Sequence, residues 1–213
     1  MQQKIATVFG GTGFIGRQIV RELARTGYTI KVATRVPERA YFLKTSGAVG
    51  QIVPFACRYS DSESIQDAIK GADVVVNCVG ILYERKKGDF AKAHTQIPSR
   101  IAEACAKEKV KTFVQISVPN IEAATSKYAK TKLEGEKAIL AAFPKATILR
   151  PSLVFGPDDD FFNKFAGLMR IMPVLPLIGG GKTKFQPVYV GDVADDVIVA
   201  VENASTKGKI YEL

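Results

Sequence analysis

The chain has 213 residues, 30 Lys and Arg against 21 Asp and Glu, one His, three Cys and no Trp. With 46% apolar and 24% charged residues it can bury a real core, which excludes disorder, a collagen repeat and a disulfide scaffold. The excess of positive charge sits in the first two-thirds, yet no zinc-finger spacing, RNP-like motif or Arg–aromatic stripe accompanies it. Anionic cofactors or acidic partner surfaces therefore explain it better than nucleic acid does.

In chain order, KIATVF at 4–9 predicts a strand running into a glycine turn. A helix follows from Phe14 to about Thr26, with Ile15, Ile19, Val20 and Leu23 at helical spacing. YTIKVATR predicts the second strand, Pro37 can open a short helix, and VGQIVPF predicts the third strand. Ser60 with Glu63 reads as a capping box for the helix SIQDAIKG, and ADVVVNCVG is an apolar strand of the kind buried on both faces. A helix over 89–108, the strand KTFVQIS, a helix over 126–142 and the strand KATILRP complete the alternation. This predicts an α/β fold: a Rossmann-type, doubly wound parallel sheet in the order 3-2-1-4-5-6 over residues 1–150. Residues 151–213 turn Pro/Gly-rich and predict a small, irregular C-terminal cap plus the last strand.

No segment reaches the roughly 18 uninterrupted apolar residues of a membrane helix. The N-terminus enters a strand at once, so no leader is expected. Cys57, Cys78 and Cys105 form no CxxC pair, so reduced thiols and a cytoplasmic setting are expected, with no metal site.

VFGGTGFIG places Gly10, Gly13 and Gly16 between a strand and a helix. Gly10 suits a tight turn, Gly13 a backbone approach to a pyrophosphate, and Gly16 close helix packing. The backbone of Gly10, Thr12, Gly13, Phe14, Ile15 and Gly16 is the expected cradle for a nicotinamide dinucleotide at a helix N-terminus. The second strand ends in Thr34 and Arg35 where an NAD site places an acid, and the first acid is Glu38. Arg35, with Arg39 as a second cation, therefore favours NADP(H) over NAD(H).

Ser117 ends the fifth strand, and Tyr128 with Lys132 lies on one face of the next helix. A cationic Lys132 would lower the Tyr128 phenol, leaving Tyr128 as acid or base and Ser117 to orient a substrate oxygen. The Tyr-x-x-x-Lys spacing is weak alone, since Tyr83 and Lys87 match it too. His94, without a second ligand nearby, reads as a helix-face residue at the cofactor's edge. Asp158, Asp159 and Asp160 read as a helix N-cap cluster, Cys78 as core, and the apolar 165–178 stretch as cap core or a partner patch.

GGTGFIG, Ser117, YAKTK and LRPSLVFGP together resemble the extended or atypical short-chain dehydrogenase/reductase superfamily, of the NAD-dependent epimerase/dehydratase type. More narrowly, ATVFGGTGFIGRQIV, VNCVGIL, SKYAKTKLEGEKAI, FPKATILRPSLVFGPDDDFFNKFA and FQPVYVGDVADDVIVAV resemble the NAD(P)H-binding accessory subunit of respiratory complex I, of the alpha-subcomplex subunit 9 type, and its bacterial relatives. The resemblance implies bound NADPH at Gly10, Gly13, Gly16 and Arg35, with further contacts from Val79, Gly80, Tyr128, Lys132 and Pro151. It also implies a chiefly structural role for the dinucleotide, partners among complex I subunits and a peripheral place on the inner face of a respiratory membrane. A working oxidoreductase or epimerase acting on a small carbonyl or sugar-like substrate through Ser117, Tyr128 and Lys132 stays open beside it. Two departures stand out. The acid common after the third strand is absent from FACRYS, and the family continues past the point where this chain ends at YEL, so part of the cap is expected to be missing.

Overall fold

Strands whose side chains are apolar on both faces need cover on both faces, and the alternating helices supply it. The computed structural model describes residues 4–159, 161–170, 182 and 184–213. In chain order its elements are β1 (Ile5–Phe9), α1 (Phe14–Arg25), β2 (Thr29–Thr34), a 3-10 segment (Pro37–Ser46), β3 (Ile52–Ala56), α2 (Ser62–Ile69) and β4 (Val74–Asn77). Then come α3 (Asp89–Ala91), a π turn (Lys92–Gln96), α4 (Ile97–Lys107), β5 (Thr112–Ile116), α5 (Lys127–Ala142), β6 (Thr147–Arg150) and β7 (Leu153–Phe155). The chain closes with α6 (Phe162–Met169), β8 (Pro187–Tyr189), α7 (Val190–Glu202) and β9 (Ile210–Glu212).

Seven strands form one parallel sheet in the order β3-β2-β1-β4-β5-β6-β9, while β7 and β8 pair separately. The expected order holds and gains a seventh strand: α7 packs on α1 and returns the chain to β6. The Rossmann sheet thus continues well past residue 150. Pro54 lies in β3 at the sheet's edge, a place where a missing N–H costs no ladder bond. The π turn interrupts what sequence periodicity reads as one continuous helix over 89–108.

Strand alternation divides the core. Val8, Val74 and Val76 pack with Ile19, Leu23 and Val197 under α1 and α7, whereas Phe9, Val75 and Phe113 pack with Ile65, Ile101 and Ile139 under α2, α4 and α5. Because the crossover leaving β1 (α1) and the crossover entering β4 (α2) lie on opposite faces of the sheet, the crevice outside the carboxyl ends of β1 and β4 is the topological switch point, where open α/β sheets bind ligands.

Candidate functional site

The turn after β1 is shaped by its glycines. Gly10 has φ +73, and a Cβ there would meet the Cys78 carbonyl carbon at 2.9 Å. A Cβ on Gly16 would lie 2.2 Å from the Gly10 carbonyl oxygen. Gly13 differs: its φ is −78, it is exposed, and only the Gly10 oxygen, 3.3 Å away, approaches its missing Cβ. Packing therefore demands glycine at 10 and 16, while at 13 it leaves open space in front of α1. No side chain caps α1 and no acid lies in its first turn, so its terminal N–H groups face that space. Thr12, Phe14 and Ile15 line it half-buried. Arg17, which the sequence reading passed over, pairs with Asp158 at 2.9 Å and ties the cap to this loop. Its only sequence signal is that it is the first cation after Gly16.

At the end of β2, Thr34 is buried and bonded to the Val36 backbone, while Arg35 and Arg39 are exposed and make no ion pair among the described residues. The Arg35 guanidinium lies 6.0 Å from the Tyr59 ring, whose hydroxyl donates to Ala33 O at 2.7 Å. Burial pushes the Tyr59 phenol up to about 12. In place of the absent acid after β3, Arg58 pairs with Asp61. Asp61, and not Ser60, caps α2 by accepting from the Glu63 N–H, because its short carboxylate reaches the first turn directly.

Asn77 fixes the turn after β4: its amide donates to Gln115 and its oxygen accepts from the Val79 N–H at 3.0 Å. A Cβ on Gly80 would meet the Lys132 amine at 3.4 Å, which brings the β4 loop and α5 together. Lys132 is buried, and desolvation pulls its amine down to about 8, Glu136 and Cys78 opposing the shift. It remains a cation at neutral pH. Cys78 packs partly buried against the core, its thiol raised by burial. Tyr128 is half-buried against His94 and Phe90. Burial raises its phenol, contrary to the lowering expected from Lys132: the two side chains share a face of α5, but desolvation outweighs any effect of the cation. Ser117 sits at the end of β5 with its hydroxyl oxygen buried and without a hydrogen-bond partner among the described residues. Tyr128, Lys132 and Ser117 make no hydrogen bond to one another there.

Arg150, at the end of β6, is another residue the sequence did not single out. Its guanidinium forks onto buried Glu136 of α5 at 3.1 and 2.6 Å and onto Glu122 at 3.1 and 2.6 Å, and reaches Glu212 at 3.4 Å. Buried Pro151 follows. In the cap, the Asp159 carboxylate accepts from the N–H groups of Phe161 and Asn163, as the N-cap reading expects, while Asp158 is held by Arg17. Asp160 and positions 171–178 of the apolar stretch lie outside the described residues. Within that stretch, Leu168 and Met169 are exposed. Among the described residues no group of three His, Cys, Asp or Glu could hold a metal, and no helix is long and apolar enough to cross a membrane.

His94 is 2% exposed and lies in the π turn. Burial first, then the Lys132 charge, pull its ring down to about 4 from 6.5. Above pH 6.5 the folded and unfolded rings are both neutral; as pH falls toward 4 the unfolded chain takes up a proton that the folded one refuses. Stability should therefore decline across that window, by about 3 kcal/mol from this group. Urea unfolding at pH 7, 5.5 and 4.5 tests it: His94→Gln should show a shallower loss than the wild type, and parallel curves would contradict the assignment.

A glycine turn at the topological switch point, cations at the end of β2 and a Ser, Tyr and Lys set thus line the carboxyl edge of a Rossmann-type sheet. The chain belongs to the NAD dependent epimerase/dehydratase family, whose pattern matches residues 6–213. It is 39% identical to NADH dehydrogenase [ubiquinone] 1 alpha subcomplex subunit 9, mitochondrial, of Arabidopsis thaliana, over 98% of this chain and 53% of that protein. The mouse (Mus musculus) protein of the same name is 36% identical over 97% of this chain and 55% of its own length. The chain thus spans about half the length of these curated relatives. Its fold matches MoeE5 in complex with UDP-glucuronic acid and NAD with a TM-score of 0.77 at 19% identity, over 97% of this chain and 75% of that one.

Proposed function

We propose that this chain binds NADP(H) and uses the dinucleotide mainly to hold its own fold, as an accessory subunit of the respiratory complex I type. The observation that carries this reading is the pair of exposed arginines, Arg35 and Arg39, which form no ion pair among the described residues, at the end of β2 beside a helix N-terminus without a side-chain cap. The residues present fit the group. Backbone at Gly10, Thr12, Gly13, Phe14, Ile15 and Gly16 faces a pyrophosphate; Thr34, Arg35 and Arg39 take the adenosine end and its 2′-phosphate; Val79, Gly80 and Pro151 flank the nicotinamide half; Tyr128 and Lys132 hold its ribose. The buried, unpartnered Ser117 hydroxyl is the kind of group a ligand atom satisfies. When bound, the nicotinamide supplies hydride chemistry. The chain's own residues grip phosphate, place a cation under the ribose and keep water from the β5 end.

The similarity to the plant and mouse subunits supports partners among complex I subunits and a peripheral place on the inner face of a respiratory membrane. A working oxidoreductase or epimerase is the second reading, favoured by the convergence of Ser117, Tyr128 and Lys132 on one edge of the sheet. The raised Tyr128 phenol and the absence of hydrogen bonds among the three weigh against it. Fluorescence titration distinguishes these possibilities. NADPH is expected to bind at least about tenfold tighter than NADH, a gap of about 1.4 kcal/mol, and Arg35→Ala should remove most of it. Bound NADPH that stays reduced for hours, while raising the melting temperature, agrees with the stabilising role; steady oxidation on addition of a small carbonyl would replace it with the enzyme. Equal affinity for the two nucleotides would remove the NADP(H) preference.

A further inference from the structure

A buried histidine used by neither reading joins the two elements that flank the nicotinamide half of the site. His94 Nδ1 lies 3.1 Å from Thr131 Oγ1 on α5, and Nε2 lies 3.2 Å from the Ile81 N–H and 3.1 Å from the Ile81 carbonyl in the loop after β4. Thr131 spends its one hydroxyl proton on the Tyr128 carbonyl, so the tautomer that engages both sides carries the proton on Nδ1: the ring donates to Thr131 Oγ1 and accepts from the Ile81 N–H. Burial and the neighbouring Lys132 charge keep the ring neutral, which this dual role needs. The ring also stacks on Phe90 and meets Tyr128 edge-on, with centroids 5.2 and 5.0 Å apart.

The backbone around it is built to match. The π turn that carries His94 pushes its carbonyl against α5 so closely that a Cβ on Gly135 would stand 1.8 Å from that oxygen. Single π turns inside helices recur at functional sites. Thr95, next in the turn, donates to the Thr131 carbonyl at 3.0 Å, and Thr131 donates to that of Tyr128 at 2.9 Å. One cluster of hydrogen bonds therefore fixes Tyr128, Thr131 and the adjoining Lys132 relative to Ile81 and the adjoining Gly80.

We infer that His94 is a positioning residue for the nicotinamide half of the dinucleotide, setting the spacing between the Gly80–Ile81 loop and the Tyr128–Lys132 face of α5. This rests on the cofactor reading above, so its test separates the two halves of the ligand. NADPH and 2′,5′-ADP, which lacks the nicotinamide mononucleotide, are titrated against the wild type, His94→Phe and His94→Gln, with NADH and 5′-AMP, which lacks the same half, as a second pair. His94→Phe keeps the ring stack but removes both hydrogen-bonded links; it should weaken NADPH about tenfold while 2′,5′-ADP stays within about twofold. His94→Gln, which retains a donor and an acceptor, should recover part of the loss. If whole dinucleotide and fragment weaken together in both variants, His94 is merely structural and the inference fails. If NADPH is unchanged in His94→Phe, it also fails. Wild-type preference for NADH and 5′-AMP would overturn the NADP(H) reading alone, and this proposal would then be judged on that pair. Wild-type binding of none of the four would overturn both.

Discussion

Arg150→Ala should cost the folded protein about 3–5 kcal/mol, because removing one partner of a buried ion pair leaves the other charge stranded. The stranded group is Glu136, 3% exposed, which receives two hydrogen bonds from the guanidinium. Glu122 is half in solvent and Glu212 sits at an exposed edge, so their loss matters less. Arg150→Lys should recover only part of the stability, since an ammonium cannot fork onto two carboxylates. The double change Arg150→Met with Glu136→Gln should cost clearly less than the two single changes added together, because neither charge then remains buried alone. Chemical denaturation of the five variants (Arg150→Ala, Arg150→Lys, Arg150→Met, Glu136→Gln and the double change) measures this, and additive costs would show that the pair carries no coupling. A functional consequence follows. Tyr128, Lys132 and Glu136 lie four residues apart along one face of α5. The Arg150 fork therefore anchors the helix that presents the tyrosine and lysine, and Arg150→Ala should weaken NADPH binding beyond what unfolding accounts for.

Some of this was legible in the sequence and some was not, and the dividing line is physical. The positions of the central strands follow from apolar runs and glycine turns, which are local signals, and their order in the sheet from the strand–helix alternation those signals reveal: VVVN reads as a buried strand wherever it falls. The phosphate loop was legible for the same reason, because strand, glycines and helix are contiguous. What stayed hidden depends on partners far apart in the chain. Arg17 meets Asp158 across 141 positions, and nothing near either residue announces the other. The place of β9 beside β6 is set by how α7 docks on α1, not by the three residues Ile210–Glu212 themselves. The π turn at Lys92–Gln96 is invisible to a period of 3.6, which reads straight through it. Tyr128 and Lys132 were located correctly on one helix face, yet the direction of the tyrosine's shift was not. Spacing reports neighbours, whereas desolvation depends on everything packed around the ring.

The glycines of the phosphate loop supply the sharpest separation of fold from ligand. Gly16→Ala should be severely destabilising, by at least about 3 kcal/mol, since its methyl would meet a backbone carbonyl at 2.2 Å and backbone cannot step aside as a side-chain tip can. Gly13→Ala should change stability by no more than about 1 kcal/mol: its φ is ordinary, its nearest neighbour stands at 3.3 Å, and the cost is that of a poorer helix N-cap residue. The ligand reverses the ranking of interest. A methyl at 13 occupies the open space in front of the α1 N-terminus, where the backbone must come close to a pyrophosphate. NADPH affinity in Gly13→Ala should then fall on the order of 100-fold, about 2.7 kcal/mol, in a protein that melts almost as the wild type does without nucleotide. The two measurements must be made on the same preparation, because saturating NADPH at 100 times its Kd adds about 2.7 kcal/mol to a protein that binds it. At that NADPH concentration the increment should be present in the wild type and fall to about 0.4 kcal/mol in Gly13→Ala. If Gly13→Ala instead binds NADPH as tightly as the wild type, the open space at Gly13 is an ordinary strand-to-helix turn, and the dinucleotide reading loses the observation on which its phosphate end rests.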